Sequence, residues 1–235
     1  MNSQEKYYRE KLYPIQDGVL NIVKKIGIPF YLTGGTALSR YYFNHRYSED
    51  LDLFVNNDDR FSGYVDEFFK AIESSREKLK FAIDYSRVKK LEKYSQIFLV
   101  KKNAEKIELK IDLVNDIEAH FGDFIYSEEL GKIDSWENIL SNKISAVFRY
   151  EGKDFVDIVF LSRNKYFNWK KIIEQTQIKE AGTDPLAIYN ILMSFPADVL
   201  DTIKWVHPIK KELFMKDIRC VAEDILEGRN NSLCR

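Results

Sequence analysis

The sequence predicts an α/β protein, of the α+β kind with a mixed sheet, followed by a C-terminal helical domain. Strand-like apolar patterns are confined to the chain before Ile125, and helical spacing of apolar residues continues from there to the end. No internal repeat and no low-complexity linker interrupts the sequence. We therefore expect two domains, an α/β domain over residues 1–127 and a helical domain over residues 128–235 that packs against it.

Composition is typical of a globular protein. Apolar residues make up 45% and charged residues 31% of the 235 residues, which provides enough apolar material to bury a core. The 36 basic and 37 acidic side chains give a net charge of −1. This balance excludes a chain-wide basic surface for nucleic acid, so any contact with RNA must be made by a local patch.

The first residues and the cysteines predict a cytoplasmic protein without a membrane partner. The N-terminal segment lacks the apolar core of a signal peptide. No apolar run approaches the roughly 20 residues needed to cross a bilayer. Cys220 and Cys234 are too few for a disulfide framework and lack metal-ligand spacing, so we expect two reduced thiols.

The first half is predicted to alternate between helices and strands. Apolar residues recur at helical spacing over residues 5–26, where Pro14 predicts a break or kink and Gly27 predicts the end. The elements expected after this helix are a strand over 30–33, a short helix over 36–43, a strand over 50–55, a helix over 60–78, and strands over 81–88, 94–101 and 106–113.

The second half is predicted to be helical throughout. Apolar spacing places helices over residues 135–150, 155–163, 169–180, 185–194, 197–205 and 208–227. Asp134 followed by Glu137 predicts a capping box at the start of the first of these helices. In that motif, two side chains three positions apart satisfy two backbone N–H groups of the first turn.

The strand over 50–55 carries two carboxylates on one face. Side chains alternate along a strand, so Asp50 and Asp52 point to one side while Leu51 and Leu53 point to the other. Two carboxylates this close repel each other unless a cation lies between them. Oxygen ligands of this kind suit Mg²⁺, which usually combines one or two carboxylates with water and substrate phosphates.

A glycine pair, Gly34-Gly35, follows the apolar run that precedes these carboxylates. Glycine lets the backbone approach a phosphate closely because no Cβ is in the way. Backbone N–H groups at such a turn into a helix hold phosphate oxygens. Thr36 and Ser48 offer hydroxyl donors to a triphosphate, and the planar guanidinium of Arg46 suits a phosphate, with an ordinary loop arginine as the alternative. Together these residues predict a nucleotide site.

The two motifs resemble those of nucleotidyltransferases of the polymerase-β-like superfamily, and most closely the AbiEii/AbiGii (MenT-like) toxin family. The matching segments are G-G-T-A-L at Gly34–Leu38 and R-x-S-x-D-L-D at Arg46–Asp52. The spacer before D-x-D is slightly long when counted from Gly34-Gly35 and fits when counted from Gly35-Thr36. The resemblance implies a nucleotidyltransferase fold and an enzyme that transfers NMP from NTP to an acceptor hydroxyl, with release of pyrophosphate.

The resemblance also implies a two-metal site held by three carboxylates. Asp50 and Asp52 supply two of them. Asp112, on the polar face of the strand over 106–113, is our candidate for the third, beside the acceptor hydroxyl. Glu108 lies on the same face and is the rival candidate. The expected cofactor is Mg²⁺ or Mn²⁺, with NTP as the substrate.

A second motif lies in the helical half, where Lys143 and Arg149 precede Lys153-Asp154-x-x-Asp157. It resembles the family's helix with a lysine and an arginine, followed by a K/R-D-x-x-D element. The resemblance implies that Lys143 binds the triphosphate and neutralises the leaving pyrophosphate. Asp154 is expected to cap its helix. Asp157, inside an otherwise apolar turn, is expected to orient Lys143 or Arg149, and the alternative is an ion pair without a catalytic part.

The resemblance further implies an RNA acceptor, most specifically the 3′ end of tRNA, and a cognate antitoxin encoded alongside. Transfer to a protein or small-molecule hydroxyl uses the same core chemistry and stays open. A module that binds NTP without turnover is disfavoured because Asp50, Asp52 and Asp112 are all present. Basic and aromatic residues interleave at 163–171 and 204–211, a pattern that suits RNA stacking or amphipathic helices, and we favour the helices.

Overall fold

The described residues form a β-sheet and a series of helices. The computed structural model describes residues 2–102 and 106–234. The helices, in chain order, are α1 (Ser3–Tyr7), α2 (Tyr13–Ile26), α3 (Gly34–Ala37), α4 (Phe61–Leu79), α5 (Trp136–Ala146), α6 (Gly152–Asn164), α7 (Trp169–Lys179), α8 (Pro185–Met193) and α9 (Lys211–Glu227). The strands, in chain order, are β1 (Tyr31–Thr33), β2 (Leu51–Asn56), β3 (Ala82–Ile83), β4 (Lys89–Lys90), β5 (Tyr94–Lys102), β6 (Lys106–Asp116), β7 (Ile125–Ser127) and β8 (Gly131–Ile133).

The strands pair in the order β3-β5-β6-β2-β1-β8-β7, with β4 also paired to β5. β2 runs parallel to β6 and β1 runs parallel to β8, while the other pairs are antiparallel. The predicted mixed sheet is therefore confirmed. Along β2 the apolar side chains of Leu51, Leu53 and Val55 are buried, and this alternation turns Asp52 to the opposite face.

The predicted break at Pro14 is a change of helix type. A π-helical segment (Tyr8–Leu12) joins α1 to α2, and the Tyr13 N–H donates to the carbonyl of Tyr8, five residues back. Pro14 follows in the first turn of α2, where its missing N–H is tolerated. Gly27 ends α2 with a left-handed φ of 70°, as its position predicts.

The capping box predicted at Asp134 is wrong. Ser135 is the N-cap of α5, and its hydroxyl accepts a hydrogen bond from the Asn138 N–H at 3.0 Å. Asp134 instead extends the pairing of β8 with β1, because its N–H donates to the Leu32 carbonyl and its carboxylate accepts from the Thr33 hydroxyl. Two adjacent polar residues both fit a cap in sequence, and only the course of the backbone distinguishes them.

Short turns account for most of the remaining differences from the predicted elements. Where a strand was predicted over 81–88, the structure has the two-residue strand β3 and a 3₁₀ turn (Tyr85–Arg87). The Asp84 side chain caps this turn by accepting a hydrogen bond from the Ser86 N–H. The helix predicted over 197–205 is a 3₁₀ turn (Ala197–Thr202). β7 and β8 were not predicted, since strands of three residues are too short to show a period.

The chain divides into two compact units, and neither is continuous in sequence. The first unit comprises the residues up to Ala37, Ser48–Glu118 and Phe124–Asp134, and the second comprises Leu38–Tyr47, Ala119–Asp123 and the residues from Ser135 onward. All the strands named above lie in the first unit, with α1 to α4; helices α5 to α9 lie in the second. The division into folding domains at residues 1–127 and 128–235 stays a prediction.

Each unit has its own apolar core. In the first unit, α2 contacts α4, and α4 buries the aromatic side chains of Phe61, Phe68 and Phe69. In the second unit, α6 contacts α5 and α9, and the fully buried Trp169 and Phe155 lie in α7 and α6. No helix in the described ranges is long and apolar enough to cross a membrane.

Candidate active site

Three carboxylates gather on one face of the sheet in the first unit. The parallel register of β2 and β6 sets Asp52 directly beside Asp112, and neighbouring residues of a parallel pair point to the same side. Asp50 lies one residue before β2 and joins them through a shared ion-pair partner, described next. We call Asp50, Asp52 and Asp112 the acidic trio. Strand alternation gives the faces of Asp52 and Asp112, and the register of β2 with β6 makes them neighbours.

Lys110 lies within the acidic trio. Its ammonium Nζ is 3.0 Å from Oδ2 of Asp112 and 3.5 Å from Oδ2 of Asp50. Burial alone works to lower the pKa of Lys110, but the hydrogen bond to Asp112 and the charges of the trio raise that pKa above its ordinary value. The lysine is therefore charged and supplies a positive charge to two of the carboxylates.

Two side chains of β5 fix the other oxygen of Asp112. The Tyr94 hydroxyl donates to Asp112 Oδ1 at 2.9 Å, and Gln96 Nε2 donates to the same atom at 3.0 Å. Burial and the neighbouring Asp112 carboxylate raise the pKa of Tyr94 to about 12, so the phenol keeps its proton and remains a donor. Asp112 thus presents Oδ1 to β5 and Oδ2 to Lys110. The sequence shows Tyr94 and Gln96 on one face of a strand but not that this strand adjoins β6.

Glu108, the rival third carboxylate, is held elsewhere. Both of its carboxylate oxygens accept hydrogen bonds from Arg87, whose guanidinium also stacks 3.9 Å from the centre of the Phe98 ring. These contacts favour Asp112 over Glu108 as the third member of the trio.

Gly34 is required by its closeness to Asp52. Its φ of 67° is left-handed, and a Cβ at this position would overlap Oδ2 of Asp52. This contact gives a physical reason for glycine in addition to the predicted approach of a phosphate. Gly35 is buried in α3, where Thr36 follows it.

Thr36 and Ser48 join α3 to the loop that precedes β2. The Thr36 hydroxyl donates to the Asp50 carbonyl, and its oxygen lies 2.8 Å from the Ser48 hydroxyl, within hydrogen-bond distance. Both side chains are buried. These hydrogen bonds hold the backbone of Asp50 in place, and the contact of either hydroxyl with a triphosphate stays a prediction.

The acidic trio has the donor chemistry of a divalent-metal site. Its ligands are carboxylate oxygens alone, which Mg²⁺ and Mn²⁺ prefer, and it already accepts the positive ammonium of Lys110. As the side chains stand in residues 2–102 and 106–234, no three His, Cys, Asp or Glu residues lie close enough together to hold a metal ion. The chemistry of Asp50, Asp52 and Asp112 suits a hard cation, and their part as its ligands stays a prediction.

A second charged group lies within the second unit, around Asp157 on α6. Arg46 forms a two-pronged ion pair with this carboxylate, through Nε and Nη2 at 2.7 Å each. Lys143 Nζ lies 2.9 Å from Oδ2, and His45 Nε2 lies 2.9 Å from Oδ1. We call these four residues the Asp157 cluster. The ion pair of Asp157 with Lys143 agrees with the prediction, whereas the contacts with Arg46 and His45 were not predicted.

The electrostatics of the Asp157 cluster follow from the burial of Asp157 and the near-complete burial of its partners. Burial works to raise the pKa of Asp157, but the charges of Arg46 and Lys143 outweigh it and hold that pKa well below its usual range. Burial lowers the pKa of His45 more than its hydrogen bond to Asp157 raises it. The imidazole is therefore neutral at pH 7 and donates its Nε2–H to the carboxylate.

Lys143 is shared between two acidic residues of α6. Its ammonium also contacts Asp154 Oδ1 at 2.6 Å. Burial works to lower the pKa of Lys143, but the charges of Asp157 and Asp154 outweigh burial and raise that pKa above its ordinary value. The prediction that Asp154 caps α6 is wrong. Glu151 occupies the N-cap position, and the Asp154 carboxylate turns to Lys143 and Arg149 instead. An acidic residue in a first helical turn suits a cap or an ion pair, and the largely buried ammonium of Lys143 favours the ion pair.

The guanidinium of Arg46 has a structural part in this arrangement. Besides its two contacts with Asp157, Nη1 donates to the Tyr47 carbonyl at 3.2 Å, and the side chain is only 3% exposed. The same planar fork that suits a phosphate suits a carboxylate, and the carboxylate lies far away in sequence. Binding of a phosphate by Arg46 stays a prediction.

Carboxylates beside a glycine turn on a mixed sheet are consistent with the class of protein that family comparison gives. The chain belongs to the nucleotidyl transferase AbiEii toxin family of type IV toxin–antitoxin systems, whose model matches residues 23–218. The protein is accordingly a nucleotidyltransferase, and the family implies an NTP substrate and a cognate antitoxin. A search among curated proteins gave no match.

Two solved structures have a similar fold. JHP933 from Helicobacter pylori is 19% identical, with a TM-score of 0.59, over 97% of this chain and 94% of that chain. MenT4, a nucleotidyltransferase toxin from Mycobacterium tuberculosis H37Rv, is 13% identical, with a TM-score of 0.59, over 93% of this chain and 86% of that chain. The predicted nucleotidyltransferase fold is confirmed by this similarity and by the family match.

Asp157→Asn should strongly destabilise the protein. The change leaves two buried cations without their shared carboxylate, and we expect a loss of about 3–5 kcal/mol in the free energy of unfolding at pH 7. The measurement is urea denaturation followed by circular dichroism. Asp201→Asn, which removes a largely exposed carboxylate paired with Lys211, is the matched control and should change little.

The same variant gives a pH-dependent signature. A carboxyl group with a depressed folded pKa adds stability above its unfolded pKa of about 4, and this stability is lost as pH falls through the folded pKa. The difference in the free energy of unfolding between wild type and Asp157→Asn should therefore shrink as pH falls from 5 toward the pH at which acid unfolds the protein. A difference that stays constant over this pH range would contradict the assignment of the depressed pKa to Asp157.

Gly34→Ala should destabilise the protein more than Gly27→Ala does. Both glycines have left-handed backbone, with φ of 67° and 70°, but a Cβ at Gly27 meets no atom within 4 Å while one at Gly34 meets Asp52. Strain alone should cost about 1 kcal/mol at Gly27, and displacement of the Asp52 carboxylate should add to this at Gly34. Equal losses in thermal and urea denaturation would show that the contact with Asp52 does not matter.

Proposed function

We propose that this protein transfers NMP from NTP to an RNA acceptor in a reaction that depends on divalent metal ions, with the 3′ end of tRNA as the acceptor. The observation that carries the proposal is the acidic trio, in which Asp52 and Asp112 lie on adjacent strands, Asp50 comes just before β2, and Gly34 contacts Asp52. Three negatively charged carboxylates in one place suit the binding of a cation that assists reaction of a phosphate ester. They suit acid–base catalysis alone less well.

The reaction is an in-line substitution at the α-phosphorus of NTP. The acceptor hydroxyl forms the new O–P bond, the bond to the β-phosphate oxygen breaks, and pyrophosphate leaves. We assign Asp50, Asp52 and Asp112 as the ligands of Mg²⁺ or Mn²⁺, which would supply charge stabilisation to the attacking and leaving oxygens. Asp112 is the candidate for accepting the hydroxyl proton, since Tyr94 and Gln96 fix its orientation.

The remaining predicted residues are proposed to bind phosphate. The backbone at Gly34 and Gly35 and the hydroxyls of Thr36 and Ser48 are the candidates near the trio in sequence. In the second unit, Lys143 and Arg46 are candidates for phosphate binding, and Asp157 keeps both cations charged and oriented, which is why we group it with the catalytic residues.

An RNA acceptor is supported by membership of a toxin family of nucleotidyltransferases. Arrest of growth by such a toxin requires an acceptor on which many cellular processes depend, and the 3′ end of tRNA is of this kind. With NTP and tRNA as substrates, the reaction would take place in the cytoplasm. The acceptor itself is the part of the proposal that a labelling experiment must identify.

The decisive experiment is transfer of label from α-labelled NTP. We expect label at tRNA size when the purified protein is incubated with Mg²⁺, each NTP in turn and total cellular RNA. Asp52→Ala should lower the rate roughly a thousandfold or more, because a lost metal ligand removes several kcal/mol of charge stabilisation. Asp66→Ala, which removes an exposed carboxylate of α4, is the control and should retain full activity.

The outcomes separate the alternatives. Label on a protein or a small molecule would replace the acceptor and keep the transfer chemistry. Binding of NTP without any label would indicate a non-catalytic module. Undiminished labelling by a folded Asp52→Ala variant would refute the role of the acidic trio.

A further inference from the structure

Lys110 supplies a positive charge to two carboxylates of the acidic trio, Asp50 and Asp112. Asp112 Oδ1 already accepts hydrogen bonds from Tyr94 and Gln96, which leaves Oδ2 to face the rest of the trio. Lys110 Nζ contacts this Oδ2 at 3.0 Å and Oδ2 of Asp50 at 3.5 Å. The ammonium therefore bridges the residue that precedes β2 and a residue of β6, through one carboxylate oxygen of each.

A divalent cation and this ammonium are incompatible at those two oxygens. Mg²⁺ binds carboxylate oxygen at about 2.0–2.1 Å, so sharing Asp112 Oδ2 would bring the two positive centres to within about 5 Å of each other. Like charges at this distance repel strongly in a partly buried site. Lys110 has an escape route, because its side chain is 30% exposed and its four-carbon stem is flexible.

We propose that Lys110 is the resident counter-ion of the acidic trio, and that a divalent cation binds there by displacing its ammonium from Asp50 and Asp112. This inference rests on the proposed function in one respect, the binding of metal by the trio. In the metal-free protein Lys110 keeps the carboxylates aligned and relieves their mutual repulsion. When a metal ion binds, it aligns the carboxylates in place of the lysine. Because the metal ion must first displace the lysine, the site binds the metal ion more weakly than three carboxylates alone would.

The test is direct measurement of metal binding without NTP. Lys110→Met keeps the length of the side chain and removes its charge, and Lys89→Met makes the same change at an exposed position on β4. Binding of Mn²⁺ is measured by electron paramagnetic resonance and calorimetry. We expect Lys110→Met to bind Mn²⁺ about fivefold more tightly than wild type, the upper size of one lost ion-pair competitor, and Lys89→Met to bind as wild type does.

Thermal denaturation gives a second readout that does not depend on activity. In chelator, Lys110→Met should melt at a lower temperature than wild type, because the trio has lost its counter-ion. Addition of Mg²⁺ should raise the melting temperature of Lys110→Met more than that of wild type, since tighter binding to the folded state stabilises it further. A role of Lys110 in packing alone would leave the two metal-induced shifts equal.

A third measurement uses the unmodified protein and covers the case in which Lys110→Met does not fold. A lysine held in two ion pairs reacts slowly with an amine-selective acylating reagent. Mass spectrometry should show faster acylation of Lys110 when Mg²⁺ is added to wild type, with no change at Lys89. Unchanged acylation of Lys110 at saturating Mg²⁺ would overturn the displacement.

Different results would refute the displacement of Lys110 and the proposed metal site. Equal Mn²⁺ affinities in wild type and Lys110→Met, both abolished by Asp52→Ala, would refute the displacement and leave the metal site intact. No Mn²⁺ binding in wild type or Lys110→Met would refute the metal site itself.

Discussion

The parallel pairing of β2 with β6 is the constraint on which the acidic trio depends. Asp52 and Asp112 are neighbours in this register because Leu51 and Leu53 on one strand, and Ile111 and Leu113 on the other, are all buried on the opposite face. A shift of either strand by one residue would turn a carboxylate into the core and an apolar side chain into solvent. Burial of the apolar face thus forces like charges together on the other face.

The acidic trio and the Asp157 cluster show how the protein offsets the unfavourable free energy of holding charged side chains close together. In the first unit, three carboxylates receive the ammonium of Lys110 and hydrogen bonds from β5. In the second unit the signs are reversed, and two cations surround the buried carboxylate of Asp157. Buried charges persist only where opposite charges and hydrogen-bond donors lie in contact with them. The residues proposed for chemistry are therefore also residues on which the fold depends.

Much of the acidic trio was predictable from the sequence, while its partners were not. The alternation in Asp50-Leu51-Asp52 and in the strand of Asp112 predicts which face each carboxylate takes. Lys110 was visible on that same face, but its contact with Asp50 depends on the parallel pairing of two strands far apart in the chain. Likewise, the sequence does not show that the guanidinium of Arg46 pairs with Asp157, because the two residues lie 111 positions apart.

The sequence by itself determined the local geometry: the faces of the strands, the turn at Gly34 and the motifs that belong to the AbiEii family. These follow from side-chain periodicity and backbone freedom, which act over a few residues. Only the tertiary structure decided which charged side chains meet, as with Lys110 between two carboxylates and Asp157 against Arg46. Such pairings depend on strand register and helix packing between distant segments, and no local pattern encodes the distance between two such atoms.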